Sequence, residues 1–86
     1  MRFSVVWQPD AELQLAEIWQ RTTNRGAVSR AADRIEQILR SYPDRAGEER
    51  FFDDRVLFDG PLGVRFRFSV EDCLVQVLKV WDISRQ

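Results

Sequence analysis

The sequence predicts a two-layer α+β domain of order β-α-α-β-β-β, in which a helix hairpin packs on one face of a small antiparallel sheet. Three observations carry that expectation. Residues 28–42 place apolar side chains on one helical stripe, residues 62–69 alternate apolar and polar side chains without a break, and Pro43 stands between the two regimes. The 86 residues suit a single domain over positions 1–86. With 44% hydrophobic and 31% charged residues, the composition is that of a chain with a core rather than a disordered one.

The first strand covers Arg2–Trp7, where Phe3, Val5 and Trp7 alternate with Arg2 and Ser4 and only Val6 departs from the rule. Pro9 ends it and opens a helix over about residues 9–22. Asp10 and Glu12 set negative charge at the positive end of that helix dipole. Ala11, Leu15, Ile18 and Trp19 form its apolar face, flanked by Leu13 and Ala16. A tight connection through Thr22–Gly26 makes the second helix, residues 26–42, antiparallel to the first. Its stripe is Val28, Ala31, Ala32, Ile35, Ile38, Leu39 and Tyr42, which makes Tyr42 a core residue.

From Asp44 the period changes. Asp44–Glu49 is polar and reads as loop, and a strand follows within Arg50–Asp59, centred on Val56, Leu57 and Phe58. Asp59-Gly60-Pro61 turns the chain into the strand Leu62–Ser69. That strand sets Leu62, Val64, Phe66 and Phe68 on one face and Gly63, Arg65, Arg67 and Ser69 on the other. After the turn Val70-Glu71-Asp72 comes a last strand, Cys73–Ile83, apolar on both faces. Plain alternation puts Leu74, Leu78 and Val80 on one side and Val75, Val77 and Trp81 on the other, as in a central strand or one whose outer face awaits a partner.

Composition removes most catalytic classes. There is no histidine, so Ser-His-Asp sites, Cys-His sites and histidine-held metals are excluded. Cys73 is the only cysteine, so neither an intramolecular disulfide nor a cysteine zinc site can form. No apolar run approaches the roughly 18 to 20 residues that span a bilayer. Asp10 cuts short the apolar start, so no signal peptide is expected and the expected location is the cytoplasm. The net charge of -1 and pI near 5.4 carry no overall basic excess, so any nucleic-acid role needs a local patch. Lys79 is the only lysine among the 13 basic residues. Such a bias towards arginine suits phosphate and carboxylate recognition, and a GC-rich genome produces the same bias without function.

The stretches Val5-Val6-Trp7-Gln8-Pro9-Asp10-Ala11-Glu12-Leu13, Gly60-Pro61-Leu62-Gly63-Val64-Arg65-Phe66-Arg67-Phe68 and Val75-Gln76-Val77-Leu78-Lys79-Val80-Trp81, in this order and length, resemble the RelE/ParE superfamily of bacterial type II toxin–antitoxin toxins. The resemblance implies a toxin partnered by a cognate antitoxin, whose disordered segment folds around it and occupies the sheet. It also implies one of two targets: messenger RNA in the ribosome, which RelE-like members cleave, or DNA gyrase, which ParE-like members poison. The nuclease branch carries an arginine entering its third strand, further basic groups on the sheet, and a Tyr or His near the C-terminus. Such a set takes the 2′-hydroxyl proton, protonates the leaving oxygen and stabilises the phosphorane-like charge. Here the usual arginine position falls at Gly63, and the segment after the last strand offers only Arg85. A ParE-like toxin that works by binding is therefore expected. The alternatives are a RelE-like endoribonuclease with a shifted basic site and a non-toxic binding module of the same fold.

No catalytic residue is assigned. Arg65, Arg67, Lys79 and Arg85 are the candidate cations for a shifted nuclease site. For the target or antitoxin, the expected face is the apolar row Val75, Val77 and Trp81, flanked by Arg65, Arg67 and Lys79. Arg65 and Arg67 stand about 7 Å apart on one strand face, either as paired forks for an anion or as the solvated side of a hairpin. Glu48, Glu49, Asp53 and Asp54 read as a solvated loop, because adjacent carboxylates on a strand diverge and none has EF-hand spacing. No metal and no cofactor is implied. Trp7, Trp19 and Trp81 are expected in or near the core, with Trp81 the best candidate of the three for a partner anchor, and Cys73 as a small strand residue with no base to activate it.

Overall fold

A computed structural model of the chain describes residues 2–51, without the side chain of Phe51, and residues 54–84. Its elements are β1 (Ser4–Trp7), α1 (Pro9–Arg21), α2 (Arg25–Ser41), β2 (Glu48–Phe51), β3 (Asp54–Asp59), β4 (Leu62–Ser69) and β5 (Leu74–Asp82). The strands form one sheet in the order β1-β5-β4-β3-β2. It is mostly antiparallel, β1 alone running parallel to its neighbour β5. The two helices cover one face, α1 over β5 and α2 over β1, β3 and β4. The expected two-layer α+β arrangement is present.

Local chemistry explains the helix limits. α1 begins at Pro9 with acids at Asp10 and Glu12 and ends with Arg21, each charge opposing the dipole end it sits on. α2 is capped by Asn24, whose side chain accepts the Ala27 N–H at 3.0 Å. Val28, Ala31, Ile35 and Leu39 recur at helical spacing and are fully enclosed against Val64, Phe66, Val75 and Val77 of the sheet. Two polar ties fix α2 over the sheet. The Trp7 indole donates to Glu36 at 3.0 Å, and Arg34 donates to Asp59 of β3 at 2.7 Å.

Four expectations about the course of the chain and its core need correction. The segment read as loop ends in an edge strand: β2 pairs Glu48 with Val56 and Glu49 with Arg55. Its charged residues hid it from a hydrophobicity pattern, as edge strands often do. Tyr42 is 50% exposed, because it caps α2 with non-helical φ and ψ and so leaves the stripe, and Pro43 is buried beside it. Trp19 is also exposed, lying under the Arg25 guanidinium at 4.6 Å instead of entering the core.

The fourth correction concerns β5. Between Arg65↔Lys79 and Phe66↔Val77 the register slips by one residue, leaving Leu78 as an extra residue on β5. Strict alternation fails there, because a bulge reverses the assignment of everything beyond it. Val75 and Val77 are therefore not outward. Paired with Phe68 and Phe66, they face the helices with 0% exposure, and Val80 joins them. The Gln14 side chain accepts the Val80 N–H at 2.8 Å, so α1 holds the displaced backbone. Lys79 and Trp81 remain on the outer face.

Candidate partner-binding face

The outer sheet face is the one no helix covers. Register places Arg67 across from Gln76, Arg65 across from Lys79 and Gly63 across from Trp81. On the other side of β4, Arg65 lies across from Val56 and Gly63 from Phe58. Asp54 is one step before the pair Arg55↔Phe66, which sets it opposite Arg67 and diagonal to Arg65. Arginines, lysine and aromatics thus collect on adjacent strands through period-two geometry and the bulge.

Arg65 and Arg67 are not simply two solvated forks. Both grip Asp54. Arg65 Nε donates to Oδ2 at 2.7 Å and Arg67 Nε donates to Oδ1 at 2.7 Å, with Arg67 Nη2 in ion-pair contact with the same oxygen at 2.7 Å. Asp54 is 2% exposed, enclosed beneath two arginines that themselves reach solvent. The reading of Asp54 as part of a solvated loop is thereby overturned: it is a buried strand residue held by two cations. Its signal in the sequence was its register with Arg67, visible only once β3 is aligned on β4. Glu48 pairs with Arg50 and Glu49 with Arg55, so these acids do not converge on one point. Asp53 and Arg85 lie outside the described residues.

Burial alone would raise the Asp54 carboxyl's pKa, but the hydrogen bonds from Arg67 and Arg65, with their charges, outweigh it and hold the group below the usual carboxylate range. A depressed folded value stabilises the fold above the unfolded pKa, and that stabilisation is lost as pH falls through the folded value. Wild type is thus expected to exceed Asp54→Asn in stability by a constant margin from neutrality down to about pH 5, a margin that shrinks below about pH 4. Urea melts of both proteins across that range provide the check, and a margin unchanged in acid would contradict the assignment.

The aromatic end of the face is built on a missing side chain. A Cβ at Gly63 would fall 2.6 Å from Cε2 of Trp81, so only glycine lets the indole lie on β4. Phe58 meets Trp81 edge-on, with centroids 6.0 Å apart, and is itself 50% exposed. The sequence marks Phe58 only as part of the centre of a strand and not of this face, since its partner depends on the register of three strands. A further concave surface of about 540 Å³ lies between α1 and α2. No helix is long and apolar enough to cross a membrane among the described residues.

No protein-family model matches the sequence, and no match to it was found among the curated proteins. Solved structures do share its fold. A chain of the toxin–antitoxin complex RelBE2 from Mycobacterium tuberculosis superposes with a TM-score of 0.77 at 18% identity, covering 95% of this chain and 92% of that one. A chain of the chromosomal ParDE toxin–antitoxin system from P. aeruginosa gives 0.70 at 21% identity, covering 95% and 97%. TrmO from Pseudomonas aeruginosa gives 0.62 at 25% identity over 93% of this chain, which spans 35% of that protein.

Proposed function

We propose that this chain, which has the RelE/ParE-like toxin fold, is the toxin of a type II toxin–antitoxin pair and acts by binding its cellular target. A cognate antitoxin segment laid on the outer sheet face neutralises it. The observation that carries the non-nucleolytic reading is Gly63. Where the nuclease branch carries an arginine, this chain has a glycine beneath the Trp81 ring. The two arginines of β4, Arg65 and Arg67, are tied to Asp54, which is a poor proton acceptor because both its oxygens already accept from guanidinium groups and its pKa is depressed. Tyr42 belongs to the helix layer, on the other side of the sheet. The binding surface of this reading is Trp81 and Phe58 with Arg65, Arg67 and Lys79, in place of the row that included Val75 and Val77. An acidic, amphipathic antitoxin segment complements it.

Inducible expression tests the reading. Growth is expected to stop without codon-positioned cuts in messenger RNA, read by primer extension. In a titration with the product of the neighbouring gene, Trp81→Ala is expected to weaken the complex by about 2 kcal/mol or more, as buried tryptophan anchors do. Cuts that vanish in Arg65→Ala or Arg67→Ala would establish a nuclease instead. Unchanged affinity in a folded Trp81→Ala variant would move the partner to another surface.

A further inference from the structure

The outer face has the usual reasons to be polar, but a carboxylate enclosed on it is unusual. Ordinarily an acid on an uncovered sheet face stands in water. Asp54 is instead 2% exposed and receives both neighbouring arginines on separate oxygens. Arg67 gives it the Nε/Nη2 edge, so the Nη1/Nη2 edge of the same guanidinium is turned away from the carboxylate. Guanidinium planarity makes that second edge as directional as the first. Lys79 stands on the same face, across from Arg65, and is exposed. The cluster of Arg65, Arg67 and Lys79 against one aspartate remains cationic, and the Trp81–Phe58 pair borders it.

We infer that Asp54 is a positioning residue: it orients the guanidinium groups of Arg65 and Arg67 so that they receive the carboxylates of an acidic, apolar-alternating peptide segment. The inference rests on the outer face being the partner surface and adds what makes it selective. An arginine in water spreads over many rotamers, and ordering it costs binding energy at the moment of contact. Asp54 has already ordered both. A peptide fits better than a nucleic acid because the cationic cluster is small, the chain has no overall basic excess, and apolar rings flank the charges.

The two accounts of Asp54 differ in sign, which makes the test decisive. Asp54→Asn removes the one negative charge of the cluster and so makes it more cationic by one. If the arginines act only through bulk charge, the variant binds an acidic ligand more tightly; if Asp54 positions them, it binds more weakly. The probe is a fluorescein-labelled peptide alternating glutamate and leucine, followed by anisotropy and stopped flow, with oligouridylate as the second arm. Asp54→Asn is expected to bind the peptide about tenfold more weakly. The loss should lie in a faster dissociation rate, with association unchanged or faster, because net charge steers encounter and oriented contacts hold the complex. A merely structural role would lower the fraction of competent protein and leave the dissociation rate alone. Asp54→Glu, which keeps the charge and moves the carboxylate by one methylene, is expected to dissociate faster with association unaltered.

Tighter or equal peptide binding by Asp54→Asn would overturn the inference. If that variant does not fold, Asp54→Glu binding like wild type would overturn it, as would loss of the fold in both. Wild type preferring oligouridylate would overturn the peptide as ligand. Wild type binding neither probe would remove the partner face itself, and with it the site of the proposed function; unchanged variants on a wild type that binds remove only the role of Asp54.

Discussion

Ile35→Asp is expected to leave no folded domain. Ile35 sits at the middle of α2 with 0% exposure, in one cluster with Val28, Ala31, Leu39, Val64, Phe66, Val75 and Val77. A carboxylate there has no cation to pair with, and leaving a charged group unpartnered in such a place costs several kcal/mol. It also removes the methyl and ethyl groups that fill the space, at about 2 to 5 kcal/mol more. A domain of this size has roughly 5 to 15 kcal/mol in total, so the substitution exhausts it. Far-UV circular dichroism with a thermal scan reads the outcome directly. Gln37→Asp, on the exposed side of the same helix, should stay within about 0.5 kcal/mol of wild type. A soluble Ile35→Asp protein that melts cooperatively near the wild-type temperature would mean that the stripe does not face the sheet.

Gly47→Val is expected to be the most damaging change outside the core. Gly47 has φ +65, in the left-handed region, and a Cβ there would lie 2.2 Å from the carbonyl oxygen of Val56. Both problems are backbone problems, so no rotamer change relieves them, and a β-branched residue is the worst choice for that region. The surroundings are also fixed. Arg55 donates from Nε to the Ala46 carbonyl at 2.9 Å and from Nη2 to the Gly47 carbonyl at 3.2 Å, while Ala46 is buried. To admit a side chain, β2 must separate from β3. The cost is put at about 3 kcal/mol or more, a fall in Tm of roughly 12 to 24 °C for a chain this long. Gly26→Ala is the control, since only the flexible end of Arg30 lies near it. Equal melting temperatures for wild type and Gly47→Val would show that β2 is not held as described.

Much of this architecture can be read from residues that obey one period. α2 and β4 are legible because each has a long, clean apolar pattern with a marked end: Pro43 for the helix, Asp59-Gly60-Pro61 for the strand. The failures occur where one residue changes the geometry of its neighbours. Leu78 is as hydrophobic as the residues around it, so nothing in its chemistry announces a bulge, yet it moves Val80 inward and keeps Trp81 outward. Tyr42 fits the helical spacing, but the proline after it forces its backbone out of the helix, and a helical wheel ignores that. The site was half legible. Arg65, Arg67, Lys79 and Trp81 could be named from alternation, whereas Asp54 and Phe58 acquire their importance from strands that pair at long range. A lone carboxylate in a polar stretch has no pattern of its own.

The position of β5 has a consequence for when the molecule comes into existence. It is the last of the described strands in the chain, and in the sheet it lies between β1 and β4, with Ser4 of β1 beside Leu74. During synthesis β1 and α1 emerge first, with apolar faces whose cover has not yet been made. Helix turns form locally, but the pairing of first strand with last closes nearly the whole chain into a loop, and no earlier contact substitutes for it. Lys79 and Trp81 arrive with that same strand. A chain still short of β5 has neither a closed core nor the Lys79 and Trp81 part of the outer face, so for a protein proposed to harm the cell that makes it, the complete binding face forms only once the last of the described strands has left the ribosome.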